Sequence, residues 1–214
     1  QTLRDKIMGL ISNGTTIFDA GAMASGFGSS MTLIKKIALS SAAGSISFVN
    51  GASGVVLDST YKEYVFFFHG IHPATDGVTF SFQTSVNTGS AYGIATTSTY
   101  FNSYHNEGDT GAALGYETTG DAAQSTGEIP LIREEKLSAD NDHHGVGYLH
   151  LFNPASTTFV KHFISRTQAN HAAEYSMDSY IGGYVNTTSA VDAIRFKVNS
   201  GNIDAGTITM YGIA

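Results

Sequence analysis

Apolar and polar residues alternate along most of the chain after residue 32, which is the pattern of β-strands that bury one face. Gly, Asn, Asp and Pro residues separate the alternating segments, as turns between strands require. The pattern predicts strands at Leu33–Ser41, Ser45–Asn50, Tyr61–Gly70, Val78–Val86, Ile94–Phe101, Glu128–Ile132, Gly145–Phe152, Thr158–Thr167, Tyr175–Val185, Ala193–Asn199 and Gly206–Ile213. Because no helical pattern lies between them, the sequence predicts an all-β fold, an antiparallel β-sandwich of jelly-roll-like form.

The last two segments predict a hairpin that closes the chain. Ala193–Asn199 and Gly206–Ile213 both alternate strictly, and residues 200–202, Ser-Gly-Asn, have the composition of a turn. A strand that runs almost to residue 214 ties that end of the chain into the sheet.

Residues 1–32 differ from the rest of the chain. Apolar residues at helical spacing predict a short amphipathic helix over residues 1–12, and the small, Gly-rich residues 12–32 predict an extended arm. The sequence therefore divides into a helix and arm for attachment, residues 1–32, and a sandwich domain, residues 33–214. Such an arm either gains structure against a neighbouring molecule or is a flexible tail.

The polar stretch Asn102–Gly127 is the longest predicted loop, interrupted by Leu114 and Tyr116. Long loops in compact domains commonly bind ligands or partners, because the scaffold holds them in place. Contact with a partner is therefore expected from this loop, at one end of the sandwich.

The charge and composition of the chain limit the classes of partner that it is expected to bind. The chain has 214 residues, a net charge of −7 and only 14% charged residues. Nucleic acid is not an expected partner, because phosphate binding needs clustered Lys and Arg. No apolar run reaches the length of a membrane span, no secretory signal is visible, and the absence of Cys removes disulfides and thiolate metal sites.

The densest group of potential metal ligands is residues 140–144, Asp-Asn-Asp-His-His. On an extended chain His143 and His144 point to opposite faces, so only one of them can reach a given ion. The stretch also lacks the Gly and the distal Glu of a calcium loop. We interpret it as a polar turn before the strand Gly145–Phe152, and predict no metal and no cofactor.

No nucleophile elbow, phosphate-binding loop or zinc motif occurs in the sequence. Pairs of carboxylates for glycoside hydrolysis remain as an alternative: Glu107 with Asp109, Glu117 with Asp121, or Glu134 with Glu135. Nothing in the sequence selects one pair, so we predict that the protein is not an enzyme.

Aromatic and polar residues in and beside the long loop form a candidate surface site. Sugars bind to exposed aromatic faces, with amides and carboxylates that bond their hydroxyls. The candidate contact residues are Tyr92, Tyr104, Asn106, Glu107, Asp109 and Tyr116. The alternative is that the aromatic residues serve a protein interface or pack partly in the core.

Two segments carry a family resemblance. Tyr61–Asp76 (YKEYVFFFHGIHPATD), followed by Val78–Gln83 (VTFSFQ), resembles the core hairpin of virion structural proteins from tailed, especially marine, bacteriophages. Ser200–Ile213 (SGNIDAGTITMYGI) is similar to the closing hairpin of phage fibre and tail-associated β-sandwiches. The similarity runs from about Leu33 to the end of the chain.

The resemblance implies a non-enzymatic structural protein of a phage particle. It would be fibre or tail-associated, assembled in the host cytoplasm and exposed on the virion, a homo-oligomer with a trimer favoured. Residues 1–32 would bind other virion proteins, and the loops would contact the host surface, where glycans are the expected ligand. The alternatives are a capsid decoration or head-fibre protein and, from another class, a carbohydrate-active depolymerase.

Overall fold

The structure is a computed structural model that describes residues 10–19, 22–23, 30–171 and 173–214. These residues form strands and no helix, and every strand pair is antiparallel. The all-β, antiparallel prediction is therefore confirmed. No helix that could cross a membrane occurs among the described residues.

Most strands belong to two sheets. The large sheet has the order β10 (Ala122–Ser125), β8 (Thr96–Asn106), β14 (Tyr175–Val185), β13 (Lys161–His171), β12 (Gly145–Phe152), β6 (Glu63–Pro73), β16 (Ile203–Ile213) and β4 (Met31–Ala38), and β9 (Ala112–Tyr116) pairs with β8. The small sheet has the order β11 (Ile129–Leu137), β7 (Val78–Ser85), β15 (Ala193–Val198) and β5 (Ile46–Val49). A separate three-stranded sheet contains β1 (Leu10–Ser12), β2 (Thr15–Asp19) and β3 (Ala22–Met23).

Eight of these strands pair in nested order along the chain. The first pairs with the last (β4 with β16), the second with the seventh (β5 with β15), the third with the sixth (β6 with β12) and the fourth with the fifth (β7 with β11). Two more pairs, β6 with β16 and β7 with β15, complete the two sheets. The other strands of the two sheets, β8–β10 and β13–β14, all widen the large sheet.

The two sheets pack face to face around an aromatic core, in a sandwich-like arrangement. Phe196 of the small sheet lies 5.3 Å from Phe66 and 5.1 Å from Phe68 of the large sheet, between ring centroids. Phe82 of β7 meets Phe163 of β13 at 5.0 Å in the same way. All five rings are almost completely buried, so the apolar faces of the two sheets form one core.

The predicted closing hairpin between Ala193–Asn199 and Gly206–Ile213 is wrong. β15 lies in the small sheet and β16 in the large sheet, so the two strands are not paired and the chain crosses between the sheets at residues 199–202. The two strands of the core hairpin named in the resemblance also lie in different sheets: β6 belongs to the large sheet and β7 to the small sheet. The physical reason is that both members of each pair carry apolar side chains on one face, and these faces bury each other across the core, as Phe68 and Phe80 do at 5.2 Å.

A helix was predicted over residues 1–12, and the described part of this segment, residues 10–12, is not helical. Residues 1–9 lie outside the described residues, and Leu10–Ser12 form strand β1 instead. Asn13 and Gly14 have positive φ angles of 46° and 79°, and Ser12 pairs with Thr15 across them. Asn-Gly is the preferred sequence of a two-residue hairpin turn, and this local signal outweighs the helical spacing.

The predicted loop 102–127 is largely strand. β8 continues to Asn106, and β9 and β10 pair with it on either side of a turn. β9 is exposed along its whole length, so it has no buried face to produce an alternating pattern. Backbone hydrogen bonds to a neighbouring strand hold such a strand in place, so its sequence shows no alternation of apolar and polar residues.

Candidate functional site

Aromatic side chains form a line across the outer face of the large sheet. The register of the strands places Tyr116, Phe101, Tyr180, Arg166, Tyr148 and Phe67 opposite one another on six consecutive strands, β9, β8, β14, β13, β12 and β6. We call these six residues the aromatic row. Phe101 is 40% and Tyr116 54% exposed, and the tyrosines and phenylalanine nearer the middle of the sheet are half-buried.

The centre of the aromatic row is a stack of planar groups. The rings of Phe101 and Tyr180 are 4.9 Å apart and only 4° from parallel, and the guanidinium of Arg166 lies 4.9 Å from the Tyr180 ring. Asp178 fixes Arg166 by accepting from Nε at 3.0 Å and from Nη2 at 2.6 Å. It also accepts from the Tyr180 hydroxyl at 3.0 Å. The stack is therefore a rigid feature of the surface.

The Asp178 carboxylate also sets the ionisation of its neighbours. Its hydrogen bonds and charge raise the pKa of Arg166 further above the usual range, so this side chain is always cationic. The hydrogen bond from Tyr180 raises the pKa of that phenol. The charged pair in the middle of the row is thus internally neutralised, and the row presents mainly ring edges and hydroxyls to solvent.

Further aromatic and aliphatic side chains extend this face. Tyr148 contacts His150 at 5.2 Å, and His150 stacks near Phe152 at 6.1 Å, between ring centroids. At the other side Phe67 meets Tyr211 at 5.8 Å. Ile164, on the strand that carries Arg166, is 55% exposed. Exposed aromatic and aliphatic side chains therefore lie beside the aromatic row, on a face whose other side chains, such as Thr99, Gln168 and Ser176, are polar.

The residues named for glycan contact fall into three places. Tyr104, Asn106, Glu107 and Asp109 lie together at the end of β8 and in the turn to β9. Tyr116 lies at the far end of β9, in the aromatic row, where its hydroxyl donates to Asp121 at 2.7 Å.

Tyr92 lies apart from the other five, in the loop between β7 and β8. Its ring packs under Arg195 of the small sheet, with the guanidinium carbon 4.3 Å from the ring centroid. The structure therefore brings four of the six candidates together and separates Tyr92 and Tyr116 from them.

Within that group of four, Asn106 stabilises the turn between β8 and β9. Its Oδ1 accepts from the backbone N–H groups of Thr110 (2.9 Å) and Gly111 (2.8 Å), which closes the turn between β8 and β9. Asp109 Oδ1 lies within hydrogen-bond distance of His105 Nε2, at 3.0 Å, and both side chains are exposed. Glu107 shares a groove of about 170 Å³ with Glu174 of the β13–β14 turn.

Sequence reasoning missed the β13–β14 turn as part of this site. The backbone N–H of Glu107 donates to the carbonyl of Glu174 at 3.0 Å, which joins the two turns at one tip of the molecule. Tyr175 packs against Tyr104 with ring centroids 5.3 Å apart. About 70 residues separate these turns in the chain, and only the strand register brings them together.

A second polar groove, of about 380 Å³, lies at the start of β16 and is lined by His72, Asp204, His143 and His144. His72 donates from Nδ1 to Asp204 at 2.6 Å and from Nε2 to the carbonyl of Asp140 at 3.1 Å. Both partners can only accept, so the two hydrogen bonds form together when the ring is protonated. Burial acts to lower the pKa of His72, but these hydrogen bonds outweigh it and the pKa lies above the ordinary value.

The cluster at residues 140–144 is a turn, as interpreted from the sequence. The His143 backbone N–H donates to the Asp140 carbonyl at 2.9 Å. His143 is 6% exposed, whereas His144 on the opposite side is exposed. Within the described part of the chain, no group of three or more His, Cys, Asp or Glu residues is placed to hold a metal ion.

The carboxylate pairs considered for glycoside hydrolysis have other partners or lie outside the description. Glu117 pairs with Arg133, and Asp121 accepts from Tyr116. The side chains of Glu134 and Glu135 are not described. Glu107 and Asp109 lie on the exposed turn at the tip. No observation therefore favours hydrolysis by any of the three pairs.

Comparisons of this chain with protein-family models, with curated proteins and with solved structures give no match.

Proposed function

We propose that the protein is a non-enzymatic structural component of a phage particle whose copies associate through the outer face of the large sheet. The single observation that carries the proposal is the aromatic row, an ordered and half-exposed line of rings on a face that would otherwise be polar. Tyr, Phe and Arg are the residues that protein interfaces concentrate at their cores.

We interpret the fold as a jelly roll with two insertions, and this interpretation supports a structural role. A jelly roll is an eight-stranded double sheet, and a long antiparallel ribbon wrapped on itself produces the nested pairing of β4, β5, β6, β7, β11, β12, β15 and β16. The insertions β8–β10 and β13–β14 widen one sheet and supply most of the aromatic row. Jelly rolls are frequent in viral capsids and lectins, although a fold by itself does not determine function.

The size of the face agrees with a second copy of this chain as its occupant. Six strands about 4.8 Å apart span roughly 24 Å, and their lengths of 5 to 11 residues average roughly 31 Å. The product, about 750 Å², is close to the roughly 800 Å² that each partner buries in a stable interface. The proposed assembly is a homo-oligomer, a trimer by the resemblance to phage fibre proteins.

The same proposal assigns attachment to residues 1–32 and host-surface contact to the tip formed by the β8–β9 and β13–β14 turns. A fibre or tail position follows from the resemblance, and a capsid decoration or head-fibre position is the alternative. Locating the chain in a reconstruction of the particle distinguishes these positions, and a particle without density for it contradicts a virion role.

Sedimentation velocity of the full chain tests the association. We expect an oligomer for the unmodified protein and a monomer for the double variant Phe101→Ser and Tyr148→Ser, with unchanged far-UV circular dichroism. The control is Phe159→Ser, a side chain 68% exposed in the loop before β13 and outside the aromatic row. A monomeric unmodified protein, or dissociation by the control alone, contradicts the proposal.

A further inference from the structure

Strand β9 (Ala112–Tyr116) forms part of one edge of the large sheet. It pairs with β8 on one side, and no described residue forms a backbone hydrogen bond with its other side. All five of its residues are exposed, and Leu114 is 72% exposed. β9 therefore presents a free edge, where its backbone groups can pair with another strand.

The pairing with β8 identifies which backbone groups of β9 face outward. The N–H of Glu117, directly after β9, donates to the carbonyl of Tyr100 at 2.9 Å. Residues of an antiparallel strand bond alternately to one neighbour and to the other side, and the register has no shift here, so the odd-numbered residues bond to β8. The N–H and C=O groups of Ala112, Leu114 and Tyr116 consequently face the free side.

The turns at both ends of β9 are held away from this edge. Before the strand, the N–H of Glu107 donates to the carbonyl of Glu174, which lies on the β14 side of β8. After the strand, the carboxylate of Glu117 pairs with Arg133 of β11, in the small sheet. Both turns are therefore fixed on other sides of the large sheet, which leaves the edge open to an approaching strand.

The composition of β9 does not oppose pairing. Its sequence, AALGY, contains no charged residue and no Pro. β4, at the other end of the strand order of the same sheet, carries Lys35 and Lys36. Charges and Pro on an edge strand keep sheets from joining edge to edge, so their absence from β9 favours such a contact.

We propose that β9 pairs antiparallel with β9 of a second copy of the chain, about a two-fold axis at Leu114. In this register Leu114 lies opposite Leu114 of the second copy, and Ala112 lies opposite Tyr116. Every outward-facing N–H and C=O group of the two strands is then paired, which a register shifted by two residues would not achieve. The side chains agree with it, because the two exposed Leu114 side chains meet on the outer face and each Tyr116 ring lies beside a small Ala112.

The edge contact is separate from the association through the outer face and weaker than it. A five-residue edge buries far less than the roughly 800 Å² per partner of a stable interface, so we expect a dissociation constant of about 0.1–1 mM. At the roughly 10 µM of a sedimentation velocity run, a chain with this contact alone is a monomer. In an assembly that holds copies side by side, effective concentrations reach the millimolar range and the edges pair, which continues the large sheet from one copy into the next.

Sedimentation equilibrium at about 0.05–1 mM tests the edge contact, in the full chain with Phe101→Ser and Tyr148→Ser, which lacks the proposed contact of the outer face. We expect this background to form dimers with a dissociation constant of about 0.1–1 mM. Adding Leu114→Lys or Leu114→Glu places like charges opposite each other at the axis and should weaken dimerisation by about fivefold or more. An equimolar mixture of the Lys and Glu variants should recover it, because opposite charges then face each other.

The matched control is Ala113→Lys, which adds the same charge on the opposite face of β9, where it would face Gly115 of the second copy. It should change the dissociation constant by no more than about threefold. A background that remains monomeric at about 1 mM overturns the proposal, as does an equal effect of Lys at positions 113 and 114 or a mixture that does not recover. Far-UV circular dichroism should be unchanged in every variant, because both positions are exposed. The background already lacks the outer-face contact, so failure of this test is distinguishable from failure of the proposed function.

Discussion

Replacing Phe196 with alanine should remove a ring that contacts four other rings at the interface between the two sheets. Phe196 is completely buried on β15. Its ring lies close to four others: Phe68 at 5.1 Å, Phe66 at 5.3 Å, Phe80 at 6.1 Å and Phe48 at 6.3 Å. Two of these neighbours belong to each sheet, so the substitution creates a cavity at the interface between the sheets.

The expected cost follows from the cavity. Truncation of a buried Phe to Ala costs about 3–5 kcal/mol, with the larger values where the surroundings cannot collapse. Neighbours on two hydrogen-bonded sheets are restrained in this way, so we expect about 4 kcal/mol in the free energy of unfolding. At about 2–4 °C per kcal/mol for a chain of this size, the melting temperature should fall by roughly 8–16 °C.

Urea titration followed by far-UV circular dichroism measures the effect. Phe159→Ala is the control, because Phe159 is 68% exposed and its loss should change the free energy of unfolding by no more than about 0.5 kcal/mol. A loss below about 1 kcal/mol for Phe196→Ala, or one equal to that of the control, would refute the description of a single core between two packed sheets.

Three further predictions concern stability. The contribution of the His72 hydrogen bonds to stability is fully present below the ordinary histidine pKa of about 6.5 and is lost as the pH rises through the raised pKa of His72. In urea titrations the gap in unfolding free energy between the unmodified protein and His72→Gln should therefore shrink as the pH is raised above about 6.5. Tyr64→Phe should cost about 1–2 kcal/mol in thermal unfolding, because the buried Tyr64 hydroxyl donates to the Asp58 carbonyl (2.9 Å) and accepts from the Asp58 N–H (3.0 Å); an unchanged melting temperature contradicts this. Gly183→Ala should cost more than about 2 kcal/mol, since a Cβ there overlaps the backbone of β8 and a buried ring, whereas Gly182→Ala, with its nearest atom 4.0 Å away, should be nearly neutral.

The sequence predicted the strands well where one face is buried and the other is not. The bounds of Gly145–Phe152 and Tyr175–Val185 agree with the structure residue for residue. The alternating pattern identifies the buried face of a strand, because burial separates apolar from polar side chains. It does not identify which neighbour a strand pairs with, and for that reason the closing hairpin was predicted between two strands that lie in different sheets.

The alternating pattern could not predict the exposed strands or the surface sites. β9 has no buried face, and its pairing with β8 rests on backbone hydrogen bonds that any residue can make. The aromatic row and the groove at the tip depend on register, which aligns residues that are tens of positions apart. Single members such as Tyr104 and Tyr116 were visible in the sequence, but their neighbours were not.

Association through the outer face is tested most directly by distances between copies. The sequence contains no Cys, so Ile164→Cys, 55% exposed beside the aromatic row, places a single spin label on that face. Phe159→Cys places the label outside it as the matched control. Pulsed dipolar spectroscopy of the full chain should give a defined distance between copies that is shorter for the label at 164 than for the label at 159. No dipolar coupling at 164, or a shorter distance at 159, would contradict the association.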